Sequence, residues 1–186
     1  MIAIYAQDSM TAIMPLGHSS LADAARVYNC GDDSRYATGQ EGVFSVHELS
    51  SLLERIKASD NEFITGIYIK APCRGANTVM RFAGLCSGML HTNTLWIKQL
   101  NILPEYRRRG IGTRAVDILL DYAVRSHNVR DVYLSAVEKN TVGLYFWKKL
   151  GFCESRRIEK AVFGEKLPSN IIIMQKTCSH SMSKEG

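Results

Sequence analysis

Apolar residues recur along the chain with two different periods, and the switch between them marks out helical and extended segments. MTAIMPL (10–16) is an apolar run short enough for a strand, and SLADAARVYN (20–29) has helical spacing, with Ser19 or Ser20 placed to cap it. SVHELSSLLERIKAS (45–59) predicts a second helix: Ser45 precedes the apolar stripe and Glu48 stands three residues on, the spacing of a capping box. From residue 62 the character changes. EFITGIYIK, MRFAGLCSGML and TLWIKQLNI are rich in β-branched and aromatic residues and separated by the turn formers APCRGANT and HTN, which predicts three consecutive antiparallel strands.

The helical period returns in GIGTRAVDILLDYAVRSHN (110–128), where Ile111, Ala115, Ile118, Leu119 and Tyr122 share one face. VRDVYLSAV (129–137) predicts another strand, NTVGLYFWKKLG (140–151) a helix stopped by Gly151, and SNIIIMQK (169–176) a last strand. The order is strand, two helices, three strands, helix, strand, helix, then one or two strands. One mixed α/β domain over residues 1–178 is expected, with 179–186 as a flexible tail. The polar, glycine-bearing stretch NCGDDSRYATGQEG between the first two helices is a long connection of the kind that often carries function.

Composition narrows the class. The 186 residues are 46% hydrophobic and 22% charged, ordinary for a globular protein, and no stretch reaches the ~20 apolar residues of a membrane span. The opening MIAIYAQDSM is a poor signal peptide, so a cytoplasmic protein is expected. Five scattered cysteines without a C-x-x-C pair, and five dispersed histidines, indicate no metal site. A net charge of +5 favours anionic partners without choosing among nucleic acid, acidic surfaces and phosphorylated cofactors.

One segment narrows that choice. ILPEYRRRGIGT (102–113) sets three arginines against two glycines between a strand and a helix. Amides at a helix start lack intrahelical acceptors, and the helix dipole adds about half a positive charge there, so this turn suits a phosphate. GIGTRA also matches a dinucleotide G-x-G-x-x-A, but Leu103 to Arg109 separate it from its strand, and Glu138, the acid ending the next strand, lies 28 residues after Gly110.

R-x-x-G-x-G at Arg107, Gly110 and Gly112, after a strand ending in L-x-I-x-P-E-Y, resembles the acetyl-CoA signature of the GNAT superfamily of N-acetyltransferases. Asn140, Gly143 and the Gly151-Phe152 pair, in N-x-x-G with a following helix ending in Gly-Phe, are similar to the family's second motif. The resemblance implies a GNAT-like α/β (α+β) fold: a twisted, mostly antiparallel sheet of six to seven strands, splayed by a V-shaped cofactor cleft and flanked by about four helices. It implies acetyl-CoA as acyl donor and a primary amine, on a small molecule or a protein, as acceptor. No membrane or nucleic-acid partner is expected, and a homodimer is left open.

The resemblance also implies roles. Pantetheine would pair with the backbone of Leu100, Asn101 and Ile102, and an amide near Leu100 or Asn101 would stabilise the oxyanion. The pyrophosphate would meet Arg107, Arg108, Arg109, Gly110, Ile111, Gly112 and Thr113, Asn140 would hold the pantetheine arm, and Trp147 would also contact the cofactor. Many members place a tyrosine five residues before the Phe of the Gly-Phe pair as proton donor, and here that position is Trp147. Indole N–H is not a usable acid. Tyr145 is near in sequence but turned about 200° around the helix, and Glu138 is the best-placed carboxylate for a base. Glu138, Tyr145 and Trp147 are therefore the catalytic candidates. Trp96 and Trp147 are candidates for an acceptor pocket whose mouth the loops 31–44, 71–79 and 160–169 would shape. Departure from the usual acid leaves a second reading, a catalytically degenerate acyl-CoA-binding or sensor module.

Overall fold

The computed structural model describes residues 1–30, 43–72, 78–161 and 169–178. The order of elements follows the expectation. Strand β1 (Ala6–Gln7) and β2 (Thr11–Pro15) are followed by helices α1 (Leu21–Asn29) and α2 (Val46–Lys57). Strands β3 (Glu62–Pro72), β4 (Thr78–His91) and β5 (Thr94–Ile102) lead to α3 (Ile111–His127), β6 (Asp131–Val137), α4 (Thr141–Lys149), β7 (Cys153–Ala161) and β8 (Ser169–Thr177). Among the described residues the sheet has eight strands rather than six or seven. The extra strand is β1, two residues long, held to β2 by Asp8, whose Oδ1 accepts the amides of Met10 and Thr11 at 2.7 and 2.6 Å. Nothing in an apolar pattern marks so short a piece.

The sheet runs β1-β2-β3-β4-β5-β6-β8-β7, and every neighbouring pair is antiparallel except β5 with β6. That parallel pair is joined through α3, as parallel strands must be by a crossover. One apolar cluster lies between the sheet and α3 and α4, where Phe63, Phe152, Leu95 and Leu119 are almost wholly buried. The other packs α1 and α2 on the opposite face through Leu49, Leu53, Ile64 and Leu85. Burying each such side chain contributes about 1.5–3 kcal/mol, so both helical layers are held by their apolar stripes.

Local signals explain most helix ends. Ser45 Oγ accepts the Glu48 amide while the Glu48 carboxylate accepts the Ser45 amide, the reciprocal box predicted from spacing. Gly151, at φ 84°, follows α4 in the left-handed conformation open to glycine. Ser20 corrects an expectation: a 3-10 turn (His18–Ser20) precedes α1, and the Ser20 side chain makes no cap but meets the Tyr68 hydroxyl at 2.9 Å. Tyr68, on β3, competes for the same oxygen.

Two irregularities in β5 position the site. Ser87 on β4 is paired with Gln99 but Gly88 with Ile97, so Lys98 is an extra residue in β5, a β-bulge. Because of it Leu95 and Ile97 before the bulge, and Leu100 and Ile102 after it, all join the α3 face, while Gln99 and Leu103 turn to the α1 face. Beyond the bulge β5 also loses its other neighbour. Its pairing with β6 covers Thr94 to Ile97 opposite Asp131 to Leu134 and stops there.

Candidate active site

The gap left where β5 and β6 part is a cleft of about 550 Å³. Its walls are the ends of the two strands, its floor is the turn into α3, and α4 closes one side with Gly143, Phe146 and Trp147. Asn101 C=O points toward β4, since a Cβ on Gly84 would meet it at 2.2 Å, and the Leu103 amide donates to Ala83. Alternation along a strand then sends the amides of Leu100 and Ile102 into the gap. Of the two expected oxyanion donors, Leu100 faces the cleft and the Asn101 backbone is turned to β4. The Asn101 side chain is left with a buried Nδ2 that has no partner among the described residues.

At the cleft floor the chain winds through two left-handed residues, Arg108 at φ 58° and Gly110 at φ 74°. Gly110 ends the loop as N-cap with no side-chain cap, and Arg114 is the first residue to donate back to it, at 3.0 Å. The amides of Ile111, Gly112 and Thr113 therefore precede the first helical bond. A Cβ on Gly112 would lie 3.5 Å from Phe146 and 3.6 Å from Ile102, partly filling the neck of the cleft. A backbone strand edge, a helix start without a side-chain cap and glycine at the neck fit an extended chain carrying a phosphate.

The arginines divide. Arg107 and Arg108 line the cleft, whereas Arg109 is not among its lining residues. The Arg107 guanidinium donates through Nε to Ile102 C=O at 2.8 Å and through an Nη to Cys30 C=O at 3.4 Å, tying the loop to the end of α1. Asn140 caps α4 by accepting the Gly143 amide at 2.8 Å and also lines the cleft.

The catalytic candidates fare differently. Trp147 is 9% exposed, lines the cleft, and packs edge-on against Phe146 and Phe152. Tyr145 is 62% exposed and outside the cleft lining, with the Lys149 ammonium over its ring. Glu138 also lies outside the cleft lining, where Asn170 donates to it at 2.8 Å and Arg157 pairs with it, and these two hold its carboxyl below the ordinary range. A base for an amine needs the opposite shift. Trp96 stacks on Tyr133 at 5.7 Å and is not among the residues that line the cleft. Of the expected mouth loops, 31–42, 73–77 and 162–168 lie outside the described residues.

Sequence reasoning missed a second cavity, about 660 Å³, on the other side of β5 between α2 and the sheet. Tyr28, Glu62 and Ser87 line it, and Lys98 and Gln99 line both cavities. Tyr106, in the loop before the arginines, was also overlooked and lines the cleft. The bulge that turns Gln99 toward the second cavity has no signature in an alternating apolar pattern.

Residues 39–152, more than half of the chain, match the family model described as the acetyltransferase (GNAT) family. The chain belongs to this family. Among curated GNAT relatives, it is 30% identical over 83 residues to "N-alpha-acetyltransferase 30" of Schizosaccharomyces pombe, covering 42% of this chain and 55% of that protein. It is 35% identical over 54 residues to spermidine N(1)-acetyltransferase of Escherichia coli K12, covering 29% of each. The matches thus span about half or less of those proteins. Among solved structures, spermidine N-acetyltransferase from Vibrio cholerae, in complex with CoA and spermine, superposes with a TM-score of 0.75 at 17% identity, over 91% of this chain and 96% of that one. An acetyltransferase of the GNAT family from Bacillus anthracis gives 0.76 at 14% identity, over 94% and 98%. These show the GNAT fold. Among the described residues no helix is long and apolar enough to cross a membrane.

Proposed function

We propose that the protein is an N-acetyltransferase that moves an acetyl group from acetyl-CoA to a primary amine by direct attack in a ternary complex. The observation that carries this reading is the meeting, in one cleft, of the unpaired edge of β5 with the amides that open α3. The edge from Lys98 to Ile102 suits the amide-bearing pantetheine arm, Asn140 stands where it can bond that arm, and the Gly110 to Thr113 turn, with Arg108, suits the pyrophosphate.

Acetyl-CoA supplies a thioester whose carbonyl carbon is open to a neutral amine. The amine nitrogen bonds to that carbon and gives up one proton, the carbon–sulfur bond breaks, and the departing sulfur takes up a proton, leaving the amide and the free thiol. The Leu100 amide is the donor placed for the carbonyl oxygen, where a preorganised N–H stabilises developing charge. A thiolate is a modest base, with a free-thiol pKa of about 8.5, so water can return the proton without the tyrosine that Trp147 replaces. Tyr106 is the phenol among the cleft-lining residues and is the side-chain alternative.

Calorimetric titration with acetyl-CoA tests the cofactor assignment, and release of free thiol over a panel of amines tests turnover. Trp147 in the usual acid position favours one second reading, an acyl-CoA sensor without turnover. Binding of acetyl-CoA with thiol release at the solvent background for every amine would establish that reading instead.

A further inference from the structure

The two cavities meet across Lys98 and Gln99, and the Lys98 ammonium is paired with Glu62. Gln99 is 8% exposed, lines both, and its Nε2 makes no hydrogen bond of normal geometry among the described residues, the Tyr28 hydroxyl being its polar neighbour. A buried amide donor left unmade is costly, so native structures seldom keep one without a ligand or water to receive it. Tyr28, on α1, stands beside this amide in the second cavity, its ring stacked on Phe44 at 4.5 Å and all but 7% of the residue covered. Burial pushes the Tyr28 hydroxyl well above the ordinary tyrosine range, the Gln99 amide offsetting part of the effect, so the hydroxyl stays protonated and able to donate.

Among the described residues, the carboxylates lining this cavity are already engaged. Glu62 pairs with Lys98 and with Arg55, the latter at 3.6 Å, and Glu48 accepts both the amide and the hydroxyl of Ser45 at 2.7 Å. A polyamine carries further ammonium groups that need carboxylates of their own, and among the described residues lining the cavity both Glu62 and Glu48 already have partners. What the junction offers is an uncharged donor, with a second behind it, next to the point where an amine must reach the cleft.

We propose that the second cavity admits the acceptor and that Gln99, assisted by Tyr28, binds an oxygen adjacent to the reacting amine. The preferred acceptors are then α-amino carbonyl compounds, such as the N-terminus of a peptide, and not polyamines. The inference rests on reading the neighbouring cleft as the acetyl-CoA site. Gln99 and Tyr28 act as specificity residues here, since a site built to donate to a substrate oxygen discriminates strongly against analogues that lack it.

The test compares trialanine amide with 1,5-diaminopentane by thiol release, beside calorimetric titration with acetyl-CoA. Trialanine amide should have the higher kcat/KM by about tenfold or more. Gln99→Leu should raise KM for trialanine amide about tenfold and raise the diamine KM much less, so that the ratio of the two KM values changes whatever small effect the variant has on acetyl-CoA binding. Tyr28→Phe keeps the ring against Phe44 and should raise the same KM by about threefold. A preference for the diamine, or an equal effect of Gln99→Leu on both amines, overturns the proposal. Acetyl-CoA binding with neither amine acetylated overturns the acceptor assignment alone, and loss of acetyl-CoA binding in the unaltered protein overturns the cleft reading along with it.

Discussion

Gly143 donates its backbone N–H to Asn140 Oδ1 at 2.8 Å, and a Cβ on residue 143 would stand 2.6 Å from Asn140 Nδ2. The glycine is therefore what lets Asn140 fold over the start of α4 while lining the cleft.

Gly143→Ala should push the Asn140 side chain off its cap. The lost cap costs about 1 kcal/mol, read as a lower midpoint in urea unfolding. If Asn140 also holds the pantetheine arm, calorimetry will show acetyl-CoA affinity reduced about tenfold as well, and an unchanged affinity would remove Asn140 from the cofactor site.

The turn into α3 makes a sharper prediction. Gly110 is in the left-handed region with nothing within 4 Å of a built Cβ, so both Asn and Asp can be placed there with modest strain. Gly110→Asp adds a negative charge before the free amides and should weaken acetyl-CoA binding about a hundredfold, or about 2.8 kcal/mol. Gly110→Asn, of nearly the same shape, should lose much less. Equal binding by the two variants would exclude a phosphate at this turn.

Glu138→Gln and Tyr145→Phe should each leave kcat within about twofold, because neither side chain lines the cleft and exposed substitutions generally have small effects. Steady-state thiol release decides this, and a hundredfold loss in either variant would restore that residue as catalytic.

Asp8 ties the first hairpin to α3 through Arg114 at 3.0 Å. Burial raises its carboxyl pKa, but the Met10 and Thr11 amides and Arg114 outweigh this and hold it below the ordinary 3.8. A depressed folded value means that the charge contributes stability above pH 3.8 and that the contribution is lost as pH falls through the folded value. Asp8→Asn should therefore destabilise by about 1 kcal/mol or less at pH 7, given solvent screening of the pair. In urea melts the gap from the parent protein should close below pH 3.8.

The thiols should separate by burial. Cys86 lies in the core, and desolvation pushes its pKa up to about 12, whereas Cys153 is exposed. At pH 8 a thiol reagent should label Cys153 readily and Cys86 only on unfolding.

The helices and strands were legible because each answers to its own neighbours. Ser45 and Glu48 are three residues apart, Gly151 adjoins the helix it ends, and the apolar period of 110–128 names the face that α3 buries. The phosphate turn was legible for the same reason, as its glycines and the helix they precede are contiguous. Local reading misled where a distant group intervened. Ser20 looked like a cap until Tyr68 from β3 met its hydroxyl, and Arg107 looked like a phosphate ligand while its guanidinium is bound to Ile102 and Cys30 carbonyls. Glu138 seemed well placed at a strand end, yet Asn170 on β8 and Arg157 on β7 engage its carboxylate outside the cleft lining.

By itself the sequence determined the order of elements, the capped helices, the glycine turn for an anion and the tryptophan at position 147, all matters of spacing within a few residues. Tertiary structure alone decided where the sheet opens, since the parting of β5 from β6 depends on two strands with a whole helix between them. It also decided which way Gln99 faces, because the extra residue at Lys98 reverses the alternation that a pattern of apolar and polar positions would assign. The juxtaposition of Tyr28 and Gln99 follows from that reversal, and no feature near either residue in the chain announces it.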